Sequence, residues 1–378
     1  MKIVLDNRWI NKNIDGITRF SLSITRELLR LDTENFYYLL FKSPQLKDFS
    51  IEWMKISSNL NFESIILPIS FSSVKNFYKV KFILRKLRPD IFFSPNYSIF
   101  CLFYPGKQFV VVHDIIPLKF PELFKNSSLK FKLFFLNKYF IKWVLKKVDL
   151  IFTVSNNTKN DIVNLLNIDK NKIRKIDEGV DINLDLIPDF YTVKNKYNIP
   201  EKYFLYVGRH DPYKNLNNLI KAYNLLPPEI KNQYKLVMAG EKDDRYTPQL
   251  VELTKELGIQ DKVLFIGSVD SDDLVSIYKH AVFLIHPSLY EGFGLPIIEA
   301  MGYGVPIIAS NTSSIPEIAN DSVIFINPTE PQEISKAICN LLSNRQRQHK
   351  MIESGLKKVQ YFNWSNTAYQ ILQEFKVY

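Results

Sequence analysis

Apolar β-type runs alternate with helical patterns along the whole chain, and this alternation restricts the fold more than any other feature. The first-half runs fall at residues 2–6, 37–41, 64–68, 90–94, 108–114 and 150–155. A second series falls at 203–208, 234–240, 263–269, 281–288, 306–310 and 323–327. A strand that returns through a helix to a neighbouring strand runs parallel to it, so each series predicts an α/β domain whose parallel sheet is covered by helices. The architecture repeats and the sequence does not. Two Rossmann-like domains are expected, over residues 1–176 and 201–364, with their sheets facing a central cleft. The polar stretch 177–200 holds turn formers and no sustained period, which reads as the connection. A last helix over 365–378 takes Ser365 as its expected N-cap.

Length supports two domains, because 378 residues exceed what one compact core serves. The two cysteines, Cys101 and Cys339, lie far apart with no metal-like spacing. They are read as buried packing residues in a reducing compartment. The start, MKIVLDNRW, is already a strand, and no run of about 18 apolar residues occurs, so the expectation is a cytoplasmic protein that is neither secreted nor membrane-spanning. The net charge of +10 lies in the first half: residues 1–200 hold 31 Lys and Arg against 19 Asp and Glu, and residues 201–378 hold 18 against 20. Within that half, residues 129–147 read as a helix with Lys138, Lys142 and Lys146 on one stripe and Phe134, Phe135, Tyr139 and Trp143 beside it. Two readings stay open: peripheral contact with the anionic inner face of the cytoplasmic membrane, or a core-packed helix with a solvated lysine edge. No nucleic-acid-binding module accompanies the charge, so nucleic acid is not expected as a partner.

The segment 289–306, LYEGFGLPIIEAMGYGVP, carries the densest chemistry. It follows an apolar strand, and Gly292 and Gly294 let the backbone turn sharply before a helix begins at Leu295. Free amides and the positive end of the helix dipole attract phosphate there. Glu291 lies beside this turn, and Glu299, eight residues on, is placed to accept hydrogen bonds from vicinal hydroxyls. The plainer reading is an ordinary strand-to-helix turn with a solvated glutamate. Both glutamates, both glycines and Pro296 coincide in one window, however, which favours a sugar-nucleotide site. The stretch resembles the nucleotide-binding signature of the family 4 retaining glycosyltransferases, which have the GT-B fold. The resemblance runs most strongly over residues 205–316 and extends in pattern over nearly the whole chain.

Further candidates lie at other strand ends. Arg209 and Lys214, in GRHDPYKN, follow the strand 203–208, where ligands of open α/β sheets bind. Two cations there would neutralise a departing diphosphate, and the resemblance assigns them that role. Two cations in an exposed loop would otherwise be unremarkable. His113 ends the strand 108–114 next to Asp114, and the resemblance makes it a donor-sugar contact, against the ordinary reading of a satisfied structural histidine. Gly16 lies in the first strand-to-helix loop, where the family often has two adjacent glycines; here the first is Asp15. The resemblance also places Gly240 and Val269 on the rim of the nucleotide pocket, and Gly292, Phe293, Gly294 and Leu295 against the donor.

The resemblance thus implies a GT-B glycosyltransferase that retains anomeric configuration. The donor nucleotide would bind in the second domain, the acceptor in the first, and the last helix would cross back to the first domain. No metal and no cofactor is expected; Asp243-Asp244 and Asp272-Asp273 form no DxD triplet. Front-face transfer fits better than double displacement through a cleft carboxylate. The stretch HDIIPLKFPE resembles members that transfer mannose in bacterial surface polysaccharide or O-antigen assembly. GDP-mannose is therefore the first donor expectation, with UDP- or dTDP-sugars as alternatives, and a lipid-linked glycan is the expected acceptor. Competing readings are an epimerase, which needs no acceptor, a phosphorylase, which needs a pyridoxal-phosphate lysine, and a silent sugar-nucleotide binder, which would lack part of the Arg209, Lys214, Glu291, Glu299 set.

Overall fold

A computed structural model of the chain describes residues 1–12, 14–56, 60–69, 76–97, 106–124, 137–184 and 187–377. It divides into two compact units, Met1–Gly179 with Asn363–Tyr378, and Val180–Phe362. Cys101, Phe134 and Phe135 lie outside the described residues.

The first unit is built on a seven-stranded sheet of β1 (Lys2–Asp6), β2 (Phe36–Phe41), β3 (Phe62–Ile66), β4 (Ile91–Ser94), β5 (Lys107–Val112), β6 (Leu150–Thr153) and β7 (Ile173–Lys175). Every pairing is parallel, in the order β3-β2-β1-β4-β5-β6-β7. A parallel sheet is covered on both faces, so its inner strands need apolar residues without alternation. Val110, Val111 and Val112 of β5 are all fully buried. Strand β7 was not anticipated, because three residues with only Ile173 buried carry no readable period. The helix Gly16–Leu31 follows β1, with Asp15 as N-cap accepting from the Thr18 amide at 2.7 Å. The final helix, Trp364–Val377, belongs to this unit and sets Phe375 against the rings of Phe93 and Phe109. Its cap is Asn363, whose Oδ1 accepts from the Asn366 amide at 2.8 Å, and not Ser365. The helix starts one residue earlier than the polar pattern suggests, because Trp364 is buried in its first turn; Ser365 accepts instead from Arg30.

The second unit holds six parallel strands, β8 (Tyr203–Val207), β9 (Lys235–Ala239), β10 (Val263–Gly267), β11 (Phe283–His286), β12 (Ile307–Ser310) and β13 (Ile324–Ile326), in the order β10-β9-β8-β11-β12-β13. Successive side chains feed opposite cores: Phe204 and Tyr206 pack with Met238 and Ile285, while Tyr203 and Leu205 pack with Val237 and Leu284. Each large apolar side chain buried in this way contributes about 1.5–3 kcal/mol relative to exposure. The stretch 177–200 is more than a connection. It contains the helix Phe190–Tyr197, capped by Asp189 and ended by Asn198 at φ 53°. Val193 and Ile199 join the second core, and with so few buried positions in one short helix no period was visible in sequence.

In both sheets the strand order reverses direction once, between β1 and β4 and between β8 and β11. Ligands of doubly wound sheets bind beyond the carboxyl ends of strands at such points. One feature of that edge is sterically enforced. Gly240, just after β9, has φ +151°, and a Cβ there would collide with the carbonyl oxygen of Gly208. By contrast, Gly16 has open space around its Cβ position.

Gly240→Ala is therefore expected to destabilise the second unit by about 2 kcal/mol or more, whereas Gly16→Ala, in the first helical turn, leaves stability unchanged or slightly raised. Thermal unfolding of the two variants against the parent checks the contrast; an unchanged midpoint for Gly240→Ala would refute the steric argument.

Candidate functional site

The sheet reversal in the second unit brings two strand ends side by side. Beyond β8, the chain runs through Gly208 and Arg209 into the short turn Pro212–Lys214. Asn215, at φ 63°, ends that turn, and its side-chain Nδ2 donates to the carbonyls of Pro287 and Pro328 at 3.0 and 2.5 Å. Beyond β11, Leu289 donates its amide to the Tyr213 carbonyl at 2.8 Å. The two loops are thus tied together, and the tie places Lys214 against Glu291. The Lys214 ammonium donates to both carboxylate oxygens, at 2.7 and 3.0 Å, with the side chains only 13% and 10% exposed.

Glu291 is held from several sides. Its amide donates to Ser313 Oγ at 2.9 Å, and its carbonyl accepts from Ser314 Oγ at 3.0 Å. Its Oε1 also lies 2.8 Å from Nε2 of His286, the last residue of β11. Burial opposes ionisation of Glu291, but the Lys214 charge and the His286 hydrogen bond outweigh it and hold the carboxyl well below the usual range. Three residues on, Gly294 at φ 119° turns the chain into the helix Leu295–Gly302, a conformation that favours glycine. No side chain caps this helix start; Pro296 has no amide and Ile297 donates to the Gly294 carbonyl at 3.0 Å, so the Leu295 amide is the first-turn donor facing an anion. Glu299 lies one turn further along, buried, accepting from the Tyr278 hydroxyl at 2.9 Å.

The other sequence candidates fall in varied surroundings. Arg209 points to Asp211 at 3.2 Å and is 57% exposed, so the structure pairs Lys214, and not Arg209, with Glu291. Gly240 is required by the close approach to Gly208. Val269, past β10, packs its side chain partly into the core. Phe293 was expected against the donor, but its side chain is buried edge-on to Phe362, 5.8 Å between ring centroids. Its carbonyl accepts from Ser314, so the residue secures the turn from inside. Gly292 lies in the turn itself and Leu295 opens the helix, both partly exposed. Reading the sequence missed His286, Tyr278, Ser313 and Ser314. Only His286 carried a signal, as a polar residue interrupting the apolar run AVFLIHPS.

In the first unit, Gly16 opens the helix after β1, with the Asp15 carboxylate already on the Thr18 amide. His113 follows β5, and both ring nitrogens have protein partners: Nδ1 lies 2.8 Å from Glu178 Oε1, and Nε2 lies 3.0 Å from the Pro95 carbonyl. No ring nitrogen is left over for a sugar hydroxyl in this arrangement. Asp114 serves the next turn, accepting from the Ile116 amide at 2.9 Å. Burial disfavours charge on His113, yet Glu178, with Asp114 and the Pro95 carbonyl, raises its pKa above 6.5.

Two family models match the chain, the Glycosyltransferase Family 4 model over residues 14–184 and the Glycosyl transferases group 1 model over residues 189–358. Among curated relatives, O-antigen chain mannosyltransferase B of Escherichia coli is 28% identical over 398 aligned positions, covering 100% of both chains. Serotype-specific mannosyltransferase WbdA of Escherichia coli is 26% identical over 276 residues, 72% of this chain, although the match spans only 33% of that relative. Among solved structures, HepE of Anabaena in complex with UDP and glucose superposes with a TM-score of 0.78 at 17% identity, covering 100% of both chains. One model on each half, a full-length relative and a shared two-sheet architecture agree.

The raised pKa of His113 makes a testable statement about the first unit. A folded value above the unfolded one means that the pair's stabilisation is complete below about 6.5 and is lost as pH rises through the folded value. Between about pH 6 and about pH 9, the thermal midpoint of the parent is expected to fall more steeply than that of Glu178→Gln; parallel curves would dissolve the pair's role.

The chain belongs to the GT-B glycosyltransferases, with a Glycosyltransferase Family 4 segment followed by a Glycosyl transferases group 1 segment.

Proposed function

We propose that this protein is a retaining hexosyltransferase that moves mannose from GDP-mannose to a growing surface glycan carried on a lipid. The observation that carries the reading is the buried Lys214–Glu291 pair at the sheet reversal, beside an uncapped helix start and the buried Glu299. A diphosphate needs cations and amides, and a ribose needs a hydrogen-bond acceptor; this edge supplies both kinds of group. The mannosyltransferase relatives support mannose as the transferred sugar.

The acceptor hydroxyl attacks the anomeric carbon from the face of the departing phosphate. The bond from that carbon to the phosphate oxygen breaks, and this oxygen receives the hydroxyl proton. Negative charge grows on the nucleoside diphosphate, where Lys214, Arg209 and the helix amides stabilise it. Glu291, fixed by Lys214 and His286, orients the sugar and phosphate, while Glu299 accepts from the ribose hydroxyls. The charge on the leaving group is met by protein cations, so transfer is expected to survive exhaustive chelation. One member of each acidic pair is already engaged: Asp243 is bound by Arg245 and lowered to about 2, and Asp273 accepts from Lys196 at 2.6 Å.

Lys214→Ala is expected to lower turnover about 100-fold at saturating donor, because a charge-stabilising donor acts mainly in the transition state. Glu299→Gln, which keeps the side chain's shape, is expected to weaken nucleoside diphosphate binding about tenfold, measured by calorimetry. A Lys214→Ala variant with KM raised and turnover intact would assign Lys214 to ground-state binding alone. Full-strength binding by Glu299→Gln would remove Glu299 from the site.

The lipid-linked acceptor is supported by the first unit. Among the described residues no helix is long and apolar enough to cross a membrane. The helix Lys138–Lys147 instead presents Tyr139, 82% exposed, and Trp143, 38% exposed, next to Lys138 and Lys146, which are exposed, and the half-buried Lys142. Its other face buries Ile141, Val144 and Leu145. Each basic residue near an anionic surface contributes about 1 kcal/mol, giving reversible attachment. Liposome flotation is expected to rise with anionic lipid and fall with salt, and the triple variant K138E/K142E/K146E is expected to lose it with donor affinity unchanged. Equal flotation of both proteins would leave this helix as core packing alone.

A further inference from the structure

We infer that His286 is a positioning residue for Glu291, acting as a neutral imidazole that carries its proton on Nε2. His286 ends β11, a strand flanked by β8 and β12, and is fully buried. Its strand neighbours Leu284 and Ile285 are equally buried and apolar, so packing alone gives no reason for an imidazole here. Nε2 lies 2.8 Å from Glu291 Oε1 and 3.3 Å from Ser288 Oγ. An ionised carboxylate only accepts, so the proton of this bond sits on Nε2.

The second nitrogen decides the charge. Nδ1 is buried and has no hydrogen-bond partner among the described residues. A proton there would leave an unpaired N–H in the interior, which is costly, whereas an unshared acceptor lone pair is tolerated more often. It would also set a second cation beside the Lys214 ammonium, around one carboxylate. The ring therefore donates one hydrogen bond and brings no net charge. Lys214 reaches both oxygens of Glu291 and supplies charge, while His286 holds Oε1 alone and so fixes the plane of the carboxylate from a rigid strand. Division of labour of this kind matters for a group that orients a reacting sugar, where displacements near 1 Å cost about 100-fold in rate.

This inference rests on the reading of Glu291 as a donor-orienting group, and two measurements separate the failure of one from the failure of the other. The first is histidine-selective 15N labelling of the whole protein, with His286 assigned by its loss in His286→Gln. Ring nitrogen shifts of a neutral Nε2–H tautomer are expected for His286 in the absence of any sugar nucleotide; an Nδ1–H tautomer or an imidazolium near neutral pH overturns the inference. The second is saturation kinetics with GDP-mannose, or with whichever sugar nucleotide the parent turns over. His286→Leu, which keeps bulk and removes the donor, is expected to lower kcat at least tenfold with the donor KM within threefold. His286→Gln, whose amide nitrogen can occupy the Nε2 position, is expected to recover to within threefold of the parent. Equal loss in both variants, or no loss in His286→Leu, overturns positioning by hydrogen bond. A parent that consumes no sugar nucleotide, with the tautomer as stated, overturns the reading of Glu291 instead.

Discussion

The interaction on which the second unit's site depends is the largely buried Lys214–Glu291 ion pair. Taking two charges out of water costs several kcal/mol each, and mutual attraction often only offsets that cost, so a buried pair is poor evidence of a need for stability. Here the pair is also made across the sheet reversal, between loops leaving β8 and β11, rather than within one element. Its geometry is maintained by neutral bonds on all sides: Asn215 to the Pro287 and Pro328 carbonyls, Leu289 to Tyr213, and Ser313 and Ser314 to the backbone of Glu291. Such an investment of polar groups makes sense at a place that must present charge in a fixed direction.

The helix start beside the pair follows from the same constraint. Gly294 adopts a positive φ, the helix begins without a capping side chain, and Pro296 in its first turn has no amide to lose. The helix after β1 in the first unit begins differently. Asp15 closes its N-terminus by accepting from Thr18, so the two units, similar in topology, offer unlike helix starts to an anion.

His113 shows how many groups of the first unit one polar strand end can join. In the sequence it is a polar end to a strand. In the fold it is a partly buried ring between Glu178 and the Pro95 carbonyl, lying edge-on to Phe20 with centroids 4.8 Å apart. The Phe20 ring in turn packs on Trp364, which begins the final helix. The histidine thus ties β5 to the segment that precedes Gly179 and, through Phe20, to the chain's last element in the first unit.

Much of the architecture was legible before any coordinates. Alternating apolar runs dictated two parallel sheets because such strands must be covered on both faces, and the EGFG turn announced its glutamates because glycine and proline leave few local alternatives. Short elements escaped: β7 has three residues, and the helix Phe190–Tyr197 buries only Val193, too little for a period to register. The Phe293 side chain turns inward against Phe362, a direction that a pattern of residue types does not reveal. The sequence alone determined that lysine, glutamate and glycine would gather at strand ends, because strand ends are the places where a doubly wound sheet leaves polar groups uncovered. Only the tertiary structure decided that Lys214 and not Arg209 reaches Glu291, and that His286 stands behind it, because those distances depend on how loops 77 and 5 residues apart in sequence from Glu291 are folded against one another.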